Sequence, residues 1–155
     1  MAAFRIVTSI DAPIELCFDL SRDIDFHVRT MEKTGERAVA GRTTGLIELG
    51  ESVTWEAKHL GMIRRLTARI TAFDRPHHFR DEMTAGAFRS LVHDHRFEVR
   101  DGRTVMIDEL IFRSPFGPIG WLVDRLFMRR YLHRLLAGRC EMIRREAEAV
   151  ARRTL

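Results

Sequence analysis

The sequence predicts an α+β fold in which an antiparallel sheet of six or seven strands wraps around a long C-terminal helix. From residue 117 to about residue 150, apolar residues recur at spacings of three and four, which is the period of a helix with one apolar face. Before that stretch, segments of alternating apolar and polar residues follow one another through short turns. Such a helix must cover its apolar face, and the strands provide the cover. We therefore expect residues 1–155 to form a single domain.

The first part of the chain predicts one strand followed by two short helices. Residues 4–10 alternate between two faces, as a strand does. Asp11 is the expected N-cap of a first helix that begins near Ile14, and Ser21 is the expected cap of a second helix over residues 22–33. These helices come between the first strand and the rest of the sheet.

Glycines and tight turns divide the middle of the chain into strands. Two short strands are predicted at residues 37–40 and 46–49, where glycines lie on both sides. The longer strands are predicted at residues 53–59, 62–73, 77–83, 88–99 and 104–113. Asp101-Gly102 is a strong signal for a hairpin between the last two strands. The order of these segments predicts an antiparallel meander that leads into the final helix.

Composition excludes several classes of protein. The net charge is +4, from 26 basic and 22 acidic residues, and the basic excess lies mainly on the C-terminal helix, where a solvated face explains it. The sequence shows no helix-turn-helix signature and no zinc-finger spacing, so we expect no nucleic-acid binding. Cys17 and Cys140 fall on apolar helical faces and are expected to be buried free thiols. The N-terminus lacks the charged and apolar regions of a signal peptide, so we expect a cytoplasmic protein.

Alternation along each strand predicts which side chains point inward. On the strand after Gly86 the odd positions are mostly apolar, so His93 and His95 should lie inside with them. The last strand is ambiguous because both of its faces carry apolar residues, and an edge or doubly covered strand would reverse the choice. We favour the even set, which has the larger side chains: Thr104, Met106, Asp108, Leu110 and Phe112.

The predicted interior combines ionisable side chains with aromatic and methionine side chains. Buried polar groups are costly unless they pair with each other, with water or with a ligand. A polar cluster inside an apolar pocket suits an apolar ligand with one polar end. The predicted ligand-binding residues are Trp55, His59, Asp81, His93, His95, Met106 and Asp108.

Several segments resemble the START and Bet v 1-like (SRPBCC) superfamily. The opening "IDAPIELCFDLSRDIDFH" looks like the point where the first strand of that family leads into its first helix. The segments "GLIELGESVTWEAKHLG", "HDHRF" and "MIDELIFRSPFGPIGWL" resemble a polyketide cyclase/dehydrase-like bacterial branch of uncharacterised ligand-binding proteins. The resemblance covers essentially the whole chain and implies the helix-grip (Bet v 1-like) fold. The superfamily contains carriers and cyclases, so the fold alone does not decide the function.

Three functions follow from these observations. The first is binding of a hydrophobic small molecule, lipid-, quinone- or polyketide-like, in a cavity beneath the long helix. The second is a cyclase or dehydrase in which His93, His95 and Asp108 perform acid–base catalysis, although a purely structural polar network is favoured over catalysis. The third is an accessory protein whose arginine-rich helix face docks on a membrane or a protein, and this peripheral contact stays open. The oligomeric state is not predicted.

The two histidines on one strand face also raise the question of a metal. His93 and His95 stand two positions apart, which is compatible with one ion, and His59 with an aspartate would complete a site. Strand-borne histidines are common without a metal, and nothing else in the sequence sets the geometry. No glycine-rich phosphate loop or cofactor fingerprint is present. The sequence therefore predicts neither a metal nor a cofactor.

Overall fold

The computed structural model describes residues 1–154. Its strands and helices, in chain order, are β1 (Ala2–Ile10), α1 (Ile14–Ser21), α2 (Ile24–Thr30), a short 3₁₀ turn (Glu32–Thr34), β2 (Arg37–Gly41), β3 (Ser52–His59), β4 (Met62–Asp74), β5 (His78–Ala85), β6 (Ser90–Arg100), β7 (Arg103–Arg113), α3 (Gly117–Val123), a π-helical turn (Asp124–Met128) and α4 (Arg129–Arg153). The strands form one seven-stranded antiparallel sheet in the order β1-β7-β6-β5-β4-β3-β2. This confirms the predicted sheet and places the first strand beside the last.

The apolar face of α4 is buried against the sheet and α1, as the helical period predicts. Cys140, Ile143 and Ala147 are at most 1% exposed. They belong to one core cluster with residues of β1, α1, β6 and β7, including Phe18 and Met106. Cys17 and Cys140 are both buried free thiols, as expected. Fully burying a large apolar side chain stabilises the folded state by about 1.5–3 kcal/mol, so the contact between α4 and the core is a main source of stability.

The final helix is continuous but not uniform. α3 leads directly into the π-helical turn and then into α4. Asp124, in the π-helical turn, is 1% exposed and accepts hydrogen bonds from the backbone N–H of Ser114, at 2.9 Å, and from its hydroxyl. This carboxylate ties the helix to the end of β7 and holds it at a set distance from the sheet. No helix within residues 1–154 is both long and apolar enough to cross a membrane.

Two predicted helix caps are wrong. α1 begins after Pro13 without a side-chain cap, and the backbone N–H of Asp11 donates to Glu148 on α4. Asp23, not Ser21, caps α2, because Oδ1 of Asp23 accepts from the N–H of Phe26 at 3.0 Å. Ser21 instead faces the core, where its hydroxyl donates to the carbonyl of Cys17 at 2.8 Å.

Two strand predictions also need correction. Residues 46–49 form no strand: Leu46 makes a single bridge to Asp23, and the rest is a loop. His77 does not begin β5, because it lies exposed in the turn before His78. The even set on β7 does face the core, since Met106 and Phe112 are fully buried.

We predict that Asp124→Ala lowers the free energy of unfolding by about 1–3 kcal/mol, because it leaves the N–H and hydroxyl of Ser114 without their acceptor. Urea denaturation followed by circular dichroism measures this change. Arg130→Ala, at an exposed position six residues further along the helix, is the matched control and should leave the midpoint unchanged. Equal midpoints for the two variants would show that the tether does not stabilise the fold.

Candidate functional site

A cavity of about 760 Å³ lies between the inner face of the sheet and the C-terminal helix. Its wall is mainly apolar, with Leu66, Phe79 and Leu91 on the strands and Leu132 and Leu136 on α4. A cavity of this size falls within the range of small-molecule sites, about 300–1,000 Å³. The polar side chains on its wall include His27, Glu36, His59, Asp81, His93, His95, Tyr131 and Arg139.

The structure places five of the seven predicted ligand-binding residues on the cavity wall. These are Trp55, His59, Asp81, His93 and His95. Met106 and Asp108 point inward but do not line the cavity, which corrects their predicted role as ligand contacts. Met106 is fully buried in the core next to Ser21, whose hydroxyl lies 3.6 Å from its sulfur. Asp108 is 1% exposed and lies behind the two histidines.

Strand register brings two aspartates and two histidines together. Asp81 on β5 is paired with His93 on β6, and Asp108 on β7 is paired with His95. The hydrogen bonds run along the diagonals: Nε2 of His93 donates to Oδ1 of Asp108, and Nε2 of His95 donates to Oδ2 of Asp81, both at 3.1 Å. The thiol of Cys140 donates to Oδ2 of Asp108 at 3.4 Å. We call Asp81, His93, His95 and Asp108 the His–Asp cluster.

The remaining ring nitrogens also face carboxylates. Nδ1 of His95 lies 2.9 Å from Oδ1 of Asp108, but without the alignment of a hydrogen bond. Nδ1 of His93 lies 3.9 Å from Oδ2 of Asp81. The two rings are in close contact, with centroids 3.8 Å apart and their planes tilted by 42°. Each ring therefore has one nitrogen toward the buried Asp108 and one toward Asp81 at the cavity.

The pKa values of the cluster diverge. Burial alone would raise the pKa of Asp108, but the hydrogen bond from His93 and the close approach of both histidines outweigh burial and hold it well below its usual range. Burial would also raise the pKa of Asp81, and the same two histidines lower it overall. Burial would lower the pKa of His95, yet its two aspartate neighbours raise it. For His93, burial and the charge of His95 lower the pKa. His95 therefore holds its proton more tightly than His93.

Two further polar pairs line the cavity, and of their four members the sequence analysis identified only His59. Nδ1 of His59 lies 2.7 Å from the hydroxyl of Tyr131 on α4. His27 pairs with Glu36, and its ring stacks on Trp55 with centroids 4.1 Å apart. His27 thus lies on the cavity wall. Partners from separate elements leave no local sequence signal.

Arg139 is a third group that the sequence analysis missed. It lines the cavity but is only 4% exposed, and its Nη2 donates to the carbonyl of Ser21 at 2.6 Å. Its Nε has no hydrogen-bonding partner among residues 1–154. Its charge helps to lower the pKa of Asp81, after the burial and histidine effects. A signal was present, because Arg139 follows Leu135 at a spacing of four on the apolar face of the helix.

Comparison with known proteins identifies the fold of this chain but not its function. The sequence matches no model of a protein family, and no curated protein matches it. The structure is similar to TTHA0849 from Thermus thermophilus, with a TM-score of 0.70 and 20% identity over 92% of this chain and 97% of that one. It is also similar to Ms6760 from Mycobacterium smegmatis, with a TM-score of 0.69 and 16% identity over 99% and 92% of the two chains.

A plant protein shares the same architecture. Major latex-like protein 151 from Panax ginseng aligns with a TM-score of 0.64 and 14% identity over 94% of this chain and 97% of that one. These likenesses extend over nearly the whole chain, and they confirm the helix-grip fold that the sequence predicts. Identities this low show a shared fold and do not transfer a function.

We predict that His95 titrates above the ordinary histidine pKa of about 6.5, and His93 below it. The contribution of His95 to stability should be complete below that pH and lost as the pH rises through its folded pKa. Asp108→Asn removes a neighbouring charge, so the pKa of His95 should fall in that variant. NMR titration of the imidazole signals in metal-free buffer measures both shifts.

The matched control is Asp94→Asn, the same substitution on the opposite face of β6, where Asp94 pairs with Arg80 and His78. It should leave the titration of His95 unchanged. A wild-type pKa of His95 below that of His93 would show that the two aspartates do not control the cluster.

Proposed function

We propose that this protein binds an apolar small molecule with one polar end in the cavity beneath the C-terminal helix. The cavity of about 760 Å³ is the observation that carries the proposal. Protein interiors are close-packed and rarely leave voids larger than a water molecule. An occupant that removes this apolar wall from water gains about 25 cal/mol for each Å² of apolar surface buried. The proposal needs no covalent chemistry and no cofactor.

An entrance for such a molecule lies where the β3–β4 turn approaches the start of α3. Leu60 and Met62 belong to the turn region, and Phe116 and Ile119 belong to the start of the helix. All four line the cavity, yet each is more than half exposed, from 55% for Met62 to 80% for Phe116. Residues that are both exposed and part of the wall mark the place where the cavity opens. Arg64 and Arg65 are also exposed and part of the wall, so the rim combines apolar side chains with two cationic ones.

The polar end of the ligand has defined partners inside. Nε of Arg139 is an unpaired donor among residues 1–154, and the His59–Tyr131 pair offers a hydroxyl on the wall. These groups suit a carbonyl, hydroxyl or carboxylate on an otherwise apolar molecule. Lipid-, quinone- and polyketide-like molecules all have this character. The few polar contacts would set the orientation of the ligand, while the apolar wall would supply most of the affinity.

We predict that filling the cavity abolishes binding. Leu136→Trp, on α4, and Leu66→Trp, on β4, each add volume inside the wall and should weaken binding of the apolar fluorescent probe 8-anilinonaphthalene-1-sulfonate at least about tenfold, that is, by about 1.4 kcal/mol. Ile63→Trp is the control, since Ile63 is 71% exposed on β4 and outside the cavity lining. Native mass spectrometry of the freshly purified protein identifies any natural occupant by its mass.

Two filling variants are used because either one alone could fail to fold, and circular dichroism shows which of them keeps the native structure. A folded Leu136→Trp or Leu66→Trp protein that binds the probe as tightly as wild type would overturn the proposal. Equal loss in Ile63→Trp would show that the probe binds elsewhere on the surface.

The His–Asp cluster favours a second candidate, a cyclase or dehydrase acting on a polyketide-like occupant. His93 faces the cavity and is held by Asp108, which is the arrangement of a general base and its orienting carboxylate. In this case His93→Gln should abolish turnover but keep binding of the occupant.

The third function, docking on a membrane or a protein through the helix face that carries Arg125, Arg129 and Arg130, remains a prediction.

A further inference from the structure

We propose that Asp81, His93 and His95 form a binding site for a divalent first-row transition-metal ion in the wall of the cavity. The sequence predicted no metal, because it could not show that the two histidines share a carboxylate. In the structure each of the three residues offers one ligand atom, and these atoms all lie within 4.8 Å of one another. Metal–ligand distances of about 2.0–2.2 Å place such atoms around a single ion after small side-chain adjustments.

The proposed ligand atoms are close together on the side of the cluster that faces the cavity. Oδ2 of Asp81 is 3.1 Å from Nε2 of His95 and 3.9 Å from Nδ1 of His93. Ligand atoms at adjacent positions around one ion are typically about 3–3.4 Å apart, for bond lengths near 2.1 Å. An ion between these three atoms would replace the hydrogen bond between Asp81 and His95 with two coordination bonds.

Asp108 already occupies the position of an outer-shell carboxylate. Its Oδ1 lies 3.1 Å from Nε2 of His93 and 2.9 Å from Nδ1 of His95, so it faces the nitrogen of each ring that points away from Asp81. Metal-binding histidines almost always donate their second N–H to a carboxylate, a carbonyl or water, which sets the ring orientation. Asp108 already accepts this hydrogen bond from His93, and its Oδ1 lies close enough to Nδ1 of His95 to do the same for the second ring once an ion orients it. Asp108 is therefore a positioning residue and not a ligand.

A hydrogen-bonded network without an ion is the competing explanation, and it leaves a polar atom unsatisfied. Nδ1 of His95 is buried and has no well-aligned partner among residues 1–154. Nδ1 of His93 is 3.9 Å from Asp81, beyond hydrogen-bonding distance. The side chains alone therefore satisfy only one nitrogen of each ring. A further group bound between the rings and Asp81 would use the second nitrogen of His93.

The class of metal follows from the donor set. Two imidazoles and one carboxylate suit zinc, iron or cobalt, whereas calcium and magnesium prefer oxygen ligands. Asp81 and Asp108 together balance the charge of a divalent ion. Because the protein ligands come from two strands on one wall, the remaining coordination positions face the cavity, as they do at sites that bind a substrate or water. Arg139 lines the same cavity, but its Nη2 is held by the carbonyl of Ser21.

The test uses the full chain without an added histidine tag, treated with a chelator and then titrated with Co²⁺ alone. Coordination by imidazole changes the visible absorption of Co²⁺, and we expect saturation at one ion per chain. Zn²⁺ should displace the cobalt spectrum and raise the melting temperature. His93→Gln, His95→Gln and Asp81→Asn should each weaken Co²⁺ binding at least about tenfold, a loss of about 1.4 kcal/mol.

Two further variants distinguish a metal-binding site from a hydrogen-bonded network that binds no ion. Asp108→Asn keeps all three ligands and should weaken Co²⁺ binding by about 10- to 100-fold through loss of ring orientation. His59→Gln is the matched control, because His59 lines the cavity with Tyr131 as its partner, outside the cluster, and it should bind Co²⁺ as tightly as wild type. Asp81→Asn is the decisive variant if the histidine variants unfold, since the Asp81 side chain is 23% exposed.

Absence of a saturable Co²⁺ spectrum in the folded wild-type protein would overturn the metal site. Wild-type affinity in a folded Asp81→Asn protein would do the same. Loss of cobalt binding in His59→Gln alone would place the ion elsewhere and also overturn it. Metal binding does not require an apolar occupant, so a protein that binds the fluorescent probe but no metal would leave the proposed function standing.

Discussion

The structure depends on how closely the C-terminal helix can approach the sheet. At its C-terminal end Cys140, Ile143 and Ala147 are small or slender enough to seat the helix directly on the core, and all three are buried. Toward its beginning the helix covers only part of the sheet: Leu132 and Leu136 pack against a second cluster that includes Phe4 and Phe112, and they also border the cavity. One end of the molecule is therefore closed by packing, and the other end is open. Where the cavity lies follows from this difference in packing along a single helix.

The tether at Asp124 explains why the open end does not collapse. A helix with an apolar face gains free energy by closing onto the sheet, at about 25 cal/mol for each Å² that leaves water. Asp124 holds the start of the helix at the end of β7 through Ser114, and the π-helical turn lies at the same point. A buried carboxylate that accepts two hydrogen bonds is costly to displace. Phe116 and Ile119 consequently remain exposed at the rim of the cavity.

The His–Asp cluster lies at the boundary between these two halves. Asp108 belongs to the closed half, where the thiol of Cys140 on α4 contacts it. Asp81 belongs to the open half and borders the cavity. The two histidines connect the buried carboxylate to the accessible one through hydrogen bonds. Side chains placed in this way are held by the sheet and still reach the cavity.

Much of the architecture follows from the sequence because strand and helix periods are local properties. Alternation on β6 and β7 placed His93, His95 and Asp108 on the inner face, and the spacing of apolar residues identified the long helix. The same patterns could not show that residues 46–49 form a loop or that Asp23 caps α2, since these depend on competing hydrogen bonds. Glu36 and Tyr131 were not predicted as cavity residues, because the partner of each lies in a different element of the fold.

The sequence by itself determined the order of most elements, the inward face of the strands in which apolar and polar residues alternate, and several residues of the cavity wall. Each of these follows from the period of side chains along a regular backbone. Only the tertiary structure decided which inward residues reach the cavity and which pair with one another. Met106 and Asp108 point inward like Trp55, but the depth of packing against α1 and α4 encloses them. Depth and pairing depend on strand register and on the distance of the helix from the sheet, and neither is a property of a local pattern.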